Sequence, residues 1–289
     1  WWIARKAKKR GIPVFYYGVP QMWAWAPWRI KKIRKFVDHV LCKLPFEAKW
    51  FQQRNCTATY VGHPYFDQME HQTFDEAFLQ ELESPDKRLL TLLPGSRDQE
   101  VISVLPVLID AANQVASRVD NLRIVVASYN QKQLEMAQTL IADKQSVNQS
   151  SKIEVMVERT HELMRAADVC LACSGSVSME LMHYRTPTII VFKIKRWVMA
   201  AQSIMLRAKF ITLVNLIATD DIRKKTWGPF DPDANDAENA VMPEYLTTGN
   251  PSQQVAKRAI EWLSDEDARQ TNVQRLNQLA IKHARPGAT

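Results

Sequence analysis

Short runs of almost continuously apolar residues recur along this chain and are separated by longer amphipathic stretches. Leu122–Ala127, Val169–Ala172 and Thr188–Phe192 are examples of these runs. A strand that is apolar throughout must be covered on both faces, which is typical of a parallel sheet flanked by helices. With 46% hydrophobic residues the chain can form such a core, and this excludes a disordered class. The pattern therefore predicts an α/β fold built from βαβ units.

The same periodicity predicts the individual elements. The predicted strands are Ile12–Tyr17, Val37–Leu44, Thr57–Val61, Arg88–Leu93, Leu122–Ala127, Ile153–Val157, Val169–Ala172 and Thr188–Phe192. The predicted helices are Pro27–Phe36, Phe46–Arg54, Val101–Arg118, Gln131–Asp143, His161–Ala166, Ser176–Tyr184, Pro251–Leu263 and Asp265–His283. Residues 219–241 are rich in Pro, Asp and Asn and are predicted to form a loop.

The length and the charge pattern indicate more than one domain. The composition changes from basic to acidic over residues 68–88, where we expect a linker. We therefore expect a first domain over residues 1–67, a second over 68–250, and two closing helices over 251–289 that pack back on the first domain.

The first domain carries a strongly basic surface. Ten lysines and arginines occur within residues 1–35, and no acidic residue precedes Asp38. Such a surface attracts phosphate, nucleic acid or an anionic membrane. Trp23, Trp25 and Trp28 lie next to Arg29 and Lys32, and this mixture predicts a sugar-stacking or membrane-interfacial surface. No RNA-binding motif accompanies it, so we do not expect nucleic acid as a partner. No window of 18 apolar residues exists, so a peripheral or soluble protein is expected.

Several familiar sites are absent from the sequence. No Gly-x-Gly-x-x-Gly follows a strand, and neither a P-loop nor a His-Glu-x-x-His motif occurs. Cys170 and Cys173 have the spacing of half a zinc site, but no second Cys or His pair has a matching spacing. We therefore expect no metal and no cofactor. Four scattered cysteines also favour a reducing compartment.

Two strand-to-helix junctions in the second domain are candidates for ligand binding. At the first, Gly95 turns the chain, a helix is expected to begin near Ser96, and Arg97 lies beside it with Glu100 in the first turn. Helix starts bind phosphate through free backbone N–H groups, and an arginine adds a forked contact. An ordinary capped helix with a surface arginine explains the same residues equally well.

The second junction contains the small residues Ser174, Gly175 and Ser176, followed by Glu180. Small residues allow a ligand to approach the backbone, and a carboxylate can accept hydrogen bonds from two vicinal hydroxyls, as on a ribose. The alternative is again an ordinary capped helix with a solvated glutamate. Because ligands of open α/β sheets lie beyond the carboxyl ends of the strands, two such junctions favour a site for a nucleotide diphosphate.

Six motifs occur in an order that resembles the lipid-A-disaccharide synthase family. They are Gln21-Met-Trp-Ala-Trp25, Leu44-Pro-Phe-Glu47, Tyr60-Val-Gly-His-Pro64 with Asp67, Leu93-Pro-Gly-Ser-Arg97, Ser174-Gly-Ser-Val-Ser-Met-Glu180 and Leu213-Val-Asn-Leu-Ile217. The resemblance covers residues 11–218 and is loose beyond them. It implies two Rossmann-like domains of the GT-B glycosyltransferase type, of which the first is incomplete here.

The resemblance also implies a reaction. The family transfers 2,3-diacylglucosamine from its UDP derivative to 2,3-diacylglucosamine 1-phosphate with inversion, releases UDP, and requires no metal. It works at the cytoplasmic face of the bacterial inner membrane, and a second copy of the chain is a further partner that it implies. By this resemblance Arg97 and Asn215 are the expected catalytic residues. The residues expected to bind UDP are Gly95, Ser96, Arg97, Ser174, Gly175, Ser176 and Glu180.

Some departures from the family pattern affect the expected activity. The family has a strand-end aspartate, its presumed general base, before the helix that corresponds to the start of this chain, and no equivalent occurs here. Val214 replaces a proline, and Pro243-Glu244-Tyr245-Leu246-Thr247 replaces a Pro-Glu-Leu-Leu-Gln motif. We expect the chain to be part of a longer protein, to bind UDP and to form little disaccharide alone. The alternatives are an impaired UDP-sugar or anionic-lipid binding protein, and another UDP-N-acetylglucosamine enzyme of the same fold.

Overall fold

The computed structural model describes residues 1–83, 87–145, 152–173, 177–205, 208–219, 221–223, 231–232, 240–284 and 287. The first part of the chain contains three strands and six helices: α1 (Trp2–Lys9), β1 (Phe15–Tyr17), α2 (Met22–Trp25), α3 (Ile30–Phe36), β2 (His39–Cys42), α4 (Pro45–Gln52), β3 (Ala58–Tyr60), α5 (Pro64–Glu70) and α6 (Glu76–Leu82). The strands form a parallel sheet in the order β1-β2-β3.

A larger sheet follows, again all parallel. Its elements are β4 (Arg88–Leu93), α7 (Asp98–Ala116), β5 (Leu122–Ser128), α8 (Gln131–Gln145), β6 (Ile153–Val157), α9 (Thr160–Ala166), β7 (Val169–Cys173), α10 (Val177–Tyr184), β8 (Thr188–Lys193), α11 (Arg196–Met205), α12 (Leu213–Ala218), β9 (Glu244–Thr247), α13 (Ser252–Ser264) and α14 (Glu266–His283). The six strands are ordered β6-β5-β4-β7-β8-β9, so the direction of winding reverses between β4 and β7. This is the doubly wound order in which ligands bind at the reversal point.

The six-stranded sheet is covered on both faces, as its apolar strands predict. Leu90 and Leu92 pack on the side of α7, α8 and α13. Leu89 and Leu93 face the opposite side, where their apolar cluster is continuous with the core of the small sheet. All of these side chains are at least 95% buried, which explains why β4 shows no polar face in the sequence.

The segment over residues 68–88, where we expected a linker, contains a further helix, and its role as a domain boundary stays a prediction. Helix α6 lies within it and is capped by Asp75, whose carboxylate accepts a 3.1 Å hydrogen bond from the Phe78 amide. Asp75 also forms a 3.0 Å ion pair with Arg159, just before α9. The acidic composition therefore serves helix capping and contacts with the large sheet.

The closing helices contact both sheets. Helix α13 packs on α7, whereas α14 packs on α10 and reaches the small sheet. There the Tyr60 hydroxyl donates to the His283 carbonyl at 3.4 Å, and the Gly287 amide donates to Asp67. These contacts fit the expected return of the C-terminus, while the division into domains at residues 67 and 250 stays a prediction.

Other differences concern the ends and the number of elements. Strand β1 begins at Phe15 because Pro13 has no N–H and the Val14 amide is bonded to the Asp38 carboxylate at 2.9 Å. The tryptophan-containing loop holds helix α2, α1 lies where the family resemblance implied a helix, and our sequence analysis did not predict α5, α11, α12 or β9. The predicted loop over residues 219–241 lies largely outside the described residues. Within the part of the chain that is described, no helix is long and apolar enough to cross a membrane.

Asp168, immediately before β7, connects three parts of the fold. Its carboxylate accepts hydrogen bonds from the Leu89 amide at 2.8 Å and from Arg88 at 3.0 Å, and it pairs with Arg269 at 3.1 Å. We predict that Asp168→Asn lowers the free energy of unfolding by about 1.5–3 kcal/mol, the range for charge-assisted hydrogen bonds. Urea denaturation measures this. The exposed Asp120→Asn is the control and should change stability by less than about 0.5 kcal/mol; equal effects would contradict the assignment.

Candidate functional site

The strands that lead into the two predicted junctions are neighbours in the large sheet. Strands β4 and β7 are hydrogen-bonded neighbours, and Leu93 is in register with Ala172. Adjacent strands are about 4.8 Å apart, so the carboxyl ends of β4 and β7 lie next to each other. Ser174, Gly175 and Ser176 lie outside the described residues, and their contacts with a nucleotide stay predictions.

Residues 94–97, which we call the β4 loop, require glycine at position 95. Gly95 has φ +110°, a conformation that other residues rarely adopt. A Cβ at this position would also lie 2.5 Å from Glu100 Oε2 and 2.8 Å from Glu100 Cβ. The β4 loop therefore packs directly on the first turn of α7, with no room for a side chain between them.

The Glu100 carboxylate accepts hydrogen bonds from the residue that caps this turn. Helix α7 begins at Asp98 with Arg97 as its N-cap, rather than near Ser96 as we expected. The Arg97 amide donates to Glu100 Oε2 at 3.3 Å, and the Arg97 guanidinium contacts Glu100 Oε1 at 2.8 Å. The donors that we predicted for a phosphate thus already hold a carboxylate, so this position accepts an anion. A glutamate three residues after the N-cap is the sequence signal for this capping interaction.

The Arg97 side chain remains available to a ligand. It is 81% exposed, whereas the Glu100 side chain is 19% exposed. An ion pair with so exposed a partner contributes little to stability, so the guanidinium can exchange Glu100 for a more highly charged group at low cost. Its exposure is compatible with both readings of the sequence, a surface arginine and a phosphate ligand, and its role in binding stays a prediction.

Glu180, the predicted ribose ligand, lies in a partly buried cluster on α10. Its Oε2 is 3.9 Å from His161 Nδ1, which is in turn 3.1 Å from the Tyr184 hydroxyl. Burial raises the pKa of Glu180 to about 7 and lowers the pKa of His161 from its usual value. Glu180 therefore changes charge near neutral pH, which a fully solvated glutamate would not do. Sequence analysis missed this cluster because His161 comes from α9 and reaches Glu180 only through helix packing, whereas Tyr184 lies one turn beyond Glu180 on α10 itself.

Asn215, the second expected catalytic residue, is completely buried. Its Oδ1 accepts from the Val241 and Met242 amides at 2.9 and 3.0 Å, and its Nδ2 donates to the Met242 carbonyl at 2.7 Å and to Glu244 at 3.1 Å. Direct contact with a substrate would require these hydrogen bonds to break. The geometry favours an indirect role for Asn215, in which it joins α12 to the segment that enters β9.

Glu244 completes this buried connection. Its carboxylate accepts from the Ile211 and Thr212 amides at 2.7 and 2.9 Å, directly before α12. Burial raises the pKa of Glu244, and the hydrogen bonds act in the opposite direction. Two motifs that are far apart in sequence are thus partners in one hydrogen-bond network.

The tryptophan surface differs from the expected one at one position. Trp23 is only 5% exposed and packs edge-on against Phe46, so it does not form part of the surface. Its indole Nε1 donates to Glu47 at 3.0 Å, a buried contact that joins two of the motifs. Trp25 and Trp28 are exposed, and the Arg29 guanidinium lies 5.5 Å from the Trp25 ring. A buried indole N–H needs a hydrogen-bond partner, and Glu47 is that partner for Trp23.

The basic surface extends onto α1. Trp2 and Ile3 on this helix are exposed, and Lys6 lies 4.2 Å from the Trp2 ring. Lys32 lies 5.9 Å from the Trp1 ring, so the two basic segments are neighbours. Exposed apolar side chains next to lysines are typical of a surface that meets an anionic interface.

The described residues include no group of three or more His, Cys, Asp or Glu side chains that could hold a metal ion. Cys170 and Cys173 are both buried in β7. Burial raises the pKa of Cys170, which disfavours the thiolate that zinc requires. The Cys-x-x-Cys spacing is therefore explained by two buried positions of strand β7.

The sequence model of the family described as lipid-A-disaccharide synthetase matches residues 1–283. A lipid-A-disaccharide synthase of Coxiella burnetii (strain Dugway 5J108-111) is 31% identical over 221 residues, covering 76% of this chain and 57% of the relative. One from Nitrosococcus oceani is 28% identical over 283 residues, covering 97% and 66%. The chain thus spans a little over half the length of the first of these curated relatives.

Solved structures share the fold at low sequence identity. The S. aureus MnaA–UDP co-structure aligns with a TM-score of 0.56 and 13% identity, over 99% of this chain and 67% of that one. A UDP-N-acetylglucosamine 2-epimerase structure from Listeria monocytogenes aligns with a TM-score of 0.54 and 12% identity, over 96% and 70%. Together with the parallel sheets, these neighbours identify the predicted α/β, Rossmann-like GT-B fold.

The titration of Glu180 gives a pH prediction. Because its folded pKa is raised to about 7 from 4.5, the stability that it contributes is complete below pH 4.5 and is lost as the pH rises through 7. We predict that Glu180→Gln removes this loss and raises the free energy of unfolding at pH 8 by about 2–3 kcal/mol relative to wild type. Urea denaturation at pH 5 and pH 8 measures the difference. The exposed Glu135→Gln should leave the pH dependence unchanged; identical profiles for all three proteins would contradict the prediction.

Proposed function

Because the chain belongs to the lipid-A-disaccharide synthetase family, we propose that it contributes the UDP-binding part of an inverting glycosyltransferase of lipid A biosynthesis. The whole protein would transfer 2,3-diacylglucosamine from its UDP derivative to 2,3-diacylglucosamine 1-phosphate and release UDP. The observation that carries this proposal is the β4 loop, whose Arg97 amide and guanidinium hold a carboxylate at the reversal point of the large sheet.

Each described residue has a role suited to its environment. Arg97 would exchange the Glu100 carboxylate for the diphosphate and neutralise the charge that develops on it as the sugar leaves. Glu180 would accept hydrogen bonds from the ribose, which its ionised form does best. Asn215 would hold α12 in place through its buried contacts. Arg97 would thus provide the anion site, through its amide and its guanidinium, without a metal.

The acceptor would bind near the small sheet. Trp25 and Trp28 are exposed there next to basic side chains, as expected for a surface that receives a phosphorylated, acylated sugar from a membrane. We propose a peripheral attachment on the cytoplasmic side of the bacterial inner membrane. A second copy of the chain remains a partner suggested only by the family.

The carboxylates of residues 1–67 are poor candidates for the general base. Asp38 is bonded to Lys8 and to the Val14 amide, and the bond to Lys8 is the first cause of its lowered pKa. Glu47 is buried and accepts from Trp23, and Asp67 accepts from the Gly287 amide. We propose that none of these three takes the proton from the acceptor hydroxyl.

The engaged carboxylates also favour a second candidate, a UDP-sugar binding protein without transfer activity. Both candidates require the same nucleotide site, and they differ in whether the chain forms disaccharide from the two lipid substrates. The third alternative, another UDP-N-acetylglucosamine enzyme, has only the shared fold in its support, at 12–13% identity.

UDP binding tests the site that both candidates share. We predict that the 289-residue chain binds UDP without added metal and that Arg97→Ala weakens binding by about 1.5–3 kcal/mol, or roughly ten- to a hundredfold in Kd. Isothermal titration calorimetry measures this. Because Arg97 is exposed, the variant should fold normally.

Arg118→Ala provides the matched control, since Arg118 is an exposed arginine beyond the opposite end of the same helix. It should bind UDP as wild type does. Unchanged affinity in Arg97→Ala, or a strict requirement for Mg²⁺, would contradict the assignment of the β4 loop to the diphosphate.

Membrane attachment is tested with lipid vesicles. Each basic residue near an anionic surface contributes up to about 1 kcal/mol, a contribution that salt screens. We predict binding to vesicles of phosphatidylglycerol that falls steeply with salt and weakens in the double variant Trp25→Ala, Trp28→Ala. Cosedimentation measures the bound fraction. Tyr129→Ala, an exposed aromatic on the large sheet, is the control, and equally strong binding to neutral vesicles would refute the electrostatic part.

A further inference from the structure

Gln133 is a buried glutamine in the first turn of α8, beside the β4 loop. Its side-chain Nε2 donates to the Ser96 carbonyl at 2.8 Å and lies 3.5 Å from Asp98 Oδ1. Asn130 Oδ1 accepts from the Gln133 amide at 3.0 Å, and Lys132 pairs with Asp98. The start of α8 therefore holds the β4 loop from the side of β5.

This contact fixes the direction of a neighbouring donor. The Ser96 carbonyl and the Arg97 N–H belong to one planar trans peptide unit, so they point in opposite directions. With the carbonyl bound to Gln133, the Arg97 N–H points away from α8 and towards Glu100 Oε2 at 3.3 Å. Rotation of this peptide would turn the N–H away from the anion and bring the carbonyl oxygen towards it.

Stability alone does not explain a glutamine at this position. Its Oε1 is buried and has no hydrogen-bond partner among the residues that the structure describes. A buried polar atom without a partner is destabilising, and an apolar side chain of the same length would avoid that penalty. The side-chain amide of Gln133 is therefore explained by its Nε2 donor, which binds the Ser96 carbonyl of the β4 loop.

We infer that Gln133 is a positioning residue that orients the Arg97 amide towards the diphosphate of a bound uridine nucleotide. This inference rests on the proposed function, because it requires the β4 loop to be the diphosphate site. Gln133 itself does not contact the nucleotide in this account. Its effect should therefore appear with ligands that carry phosphates and be absent with the nucleoside.

The experiment compares UDP with uridine in the full 289-residue chain. Gln133→Met removes the donor at nearly constant shape and should raise the Kd for UDP about tenfold, the effect of losing one well-oriented hydrogen bond to a charged group. The Kd for uridine should stay unchanged. Gln133→Lys keeps a donor for the Ser96 carbonyl and should restore most of the UDP affinity. Calorimetry measures the Kd for UDP, and ligand-observed NMR measures the Kd for the more weakly bound uridine.

Two controls separate positioning from damage to the fold. Gln114→Met alters a glutamine on α7 whose Nε2 bonds to the Asp110 carbonyl and to Ser252, and it should leave both affinities unchanged. The melting temperature of Gln133→Met should change little, because removal of the unpaired buried Oε1 offsets the lost hydrogen bond and the exposed Ser96 can bind water instead. A Kd for UDP within twofold of wild type, or a parallel loss of UDP and uridine, would overturn the inference alone. A wild-type chain that does not bind UDP would overturn the proposed function and the inference with it.

Discussion

Strands β4 and β7 pair at the centre of the six-stranded sheet. These strands are apolar on both faces, so the fold must cover both sides of the sheet with helices. Because the winding direction reverses between them, α7 and α10, the next helices after β4 and β7, cover opposite faces of the sheet, and ligands of such folds bind at this reversal point. The same burial that stabilises the sheet thus determines where a ligand can bind.

At the end of β4 the chain supplies its own anion to the Arg97 donors. Glu100 occupies the Arg97 donors at 3.3 and 2.8 Å, and Gly95 provides the space for its side chain. An internal carboxylate keeps the backbone donors oriented when no ligand is bound, which reduces the reorganisation that binding requires. A diphosphate carries more charge than a carboxylate and should displace it.

Sequence reasoning predicted the strands of the large sheet well, with β4 and β6 placed at their observed bounds. Their apolar runs are bounded by polar residues, so the pattern and the structure agree. It also located the β4 loop, because Pro94-Gly95 ends a strand directly before a helix. It missed short elements such as α2 and β9, whose formation depends on tertiary packing more than on a local period.

The roles of buried polar residues were harder to predict. Trp23 and Asn215 were expected at the surface or the reaction centre, yet each is bonded to a glutamate in the interior. Their motifs mark positions where a buried polar group has a matching partner far away in sequence. Periodicity carries no information on such pairs, since the partners Glu47 and Glu244 are brought close only by the folded chain.

The assignment of the β4 loop to the diphosphate is tested most directly by a crystal structure of the chain grown with UDP. We expect the diphosphate about 3 Å from the Arg97 amide, with the Glu100 carboxylate displaced from it and the ribose hydroxyls against Glu180. A nucleotide bound at another edge of the sheet, or one bound while Glu100 still holds the Arg97 amide, would contradict it.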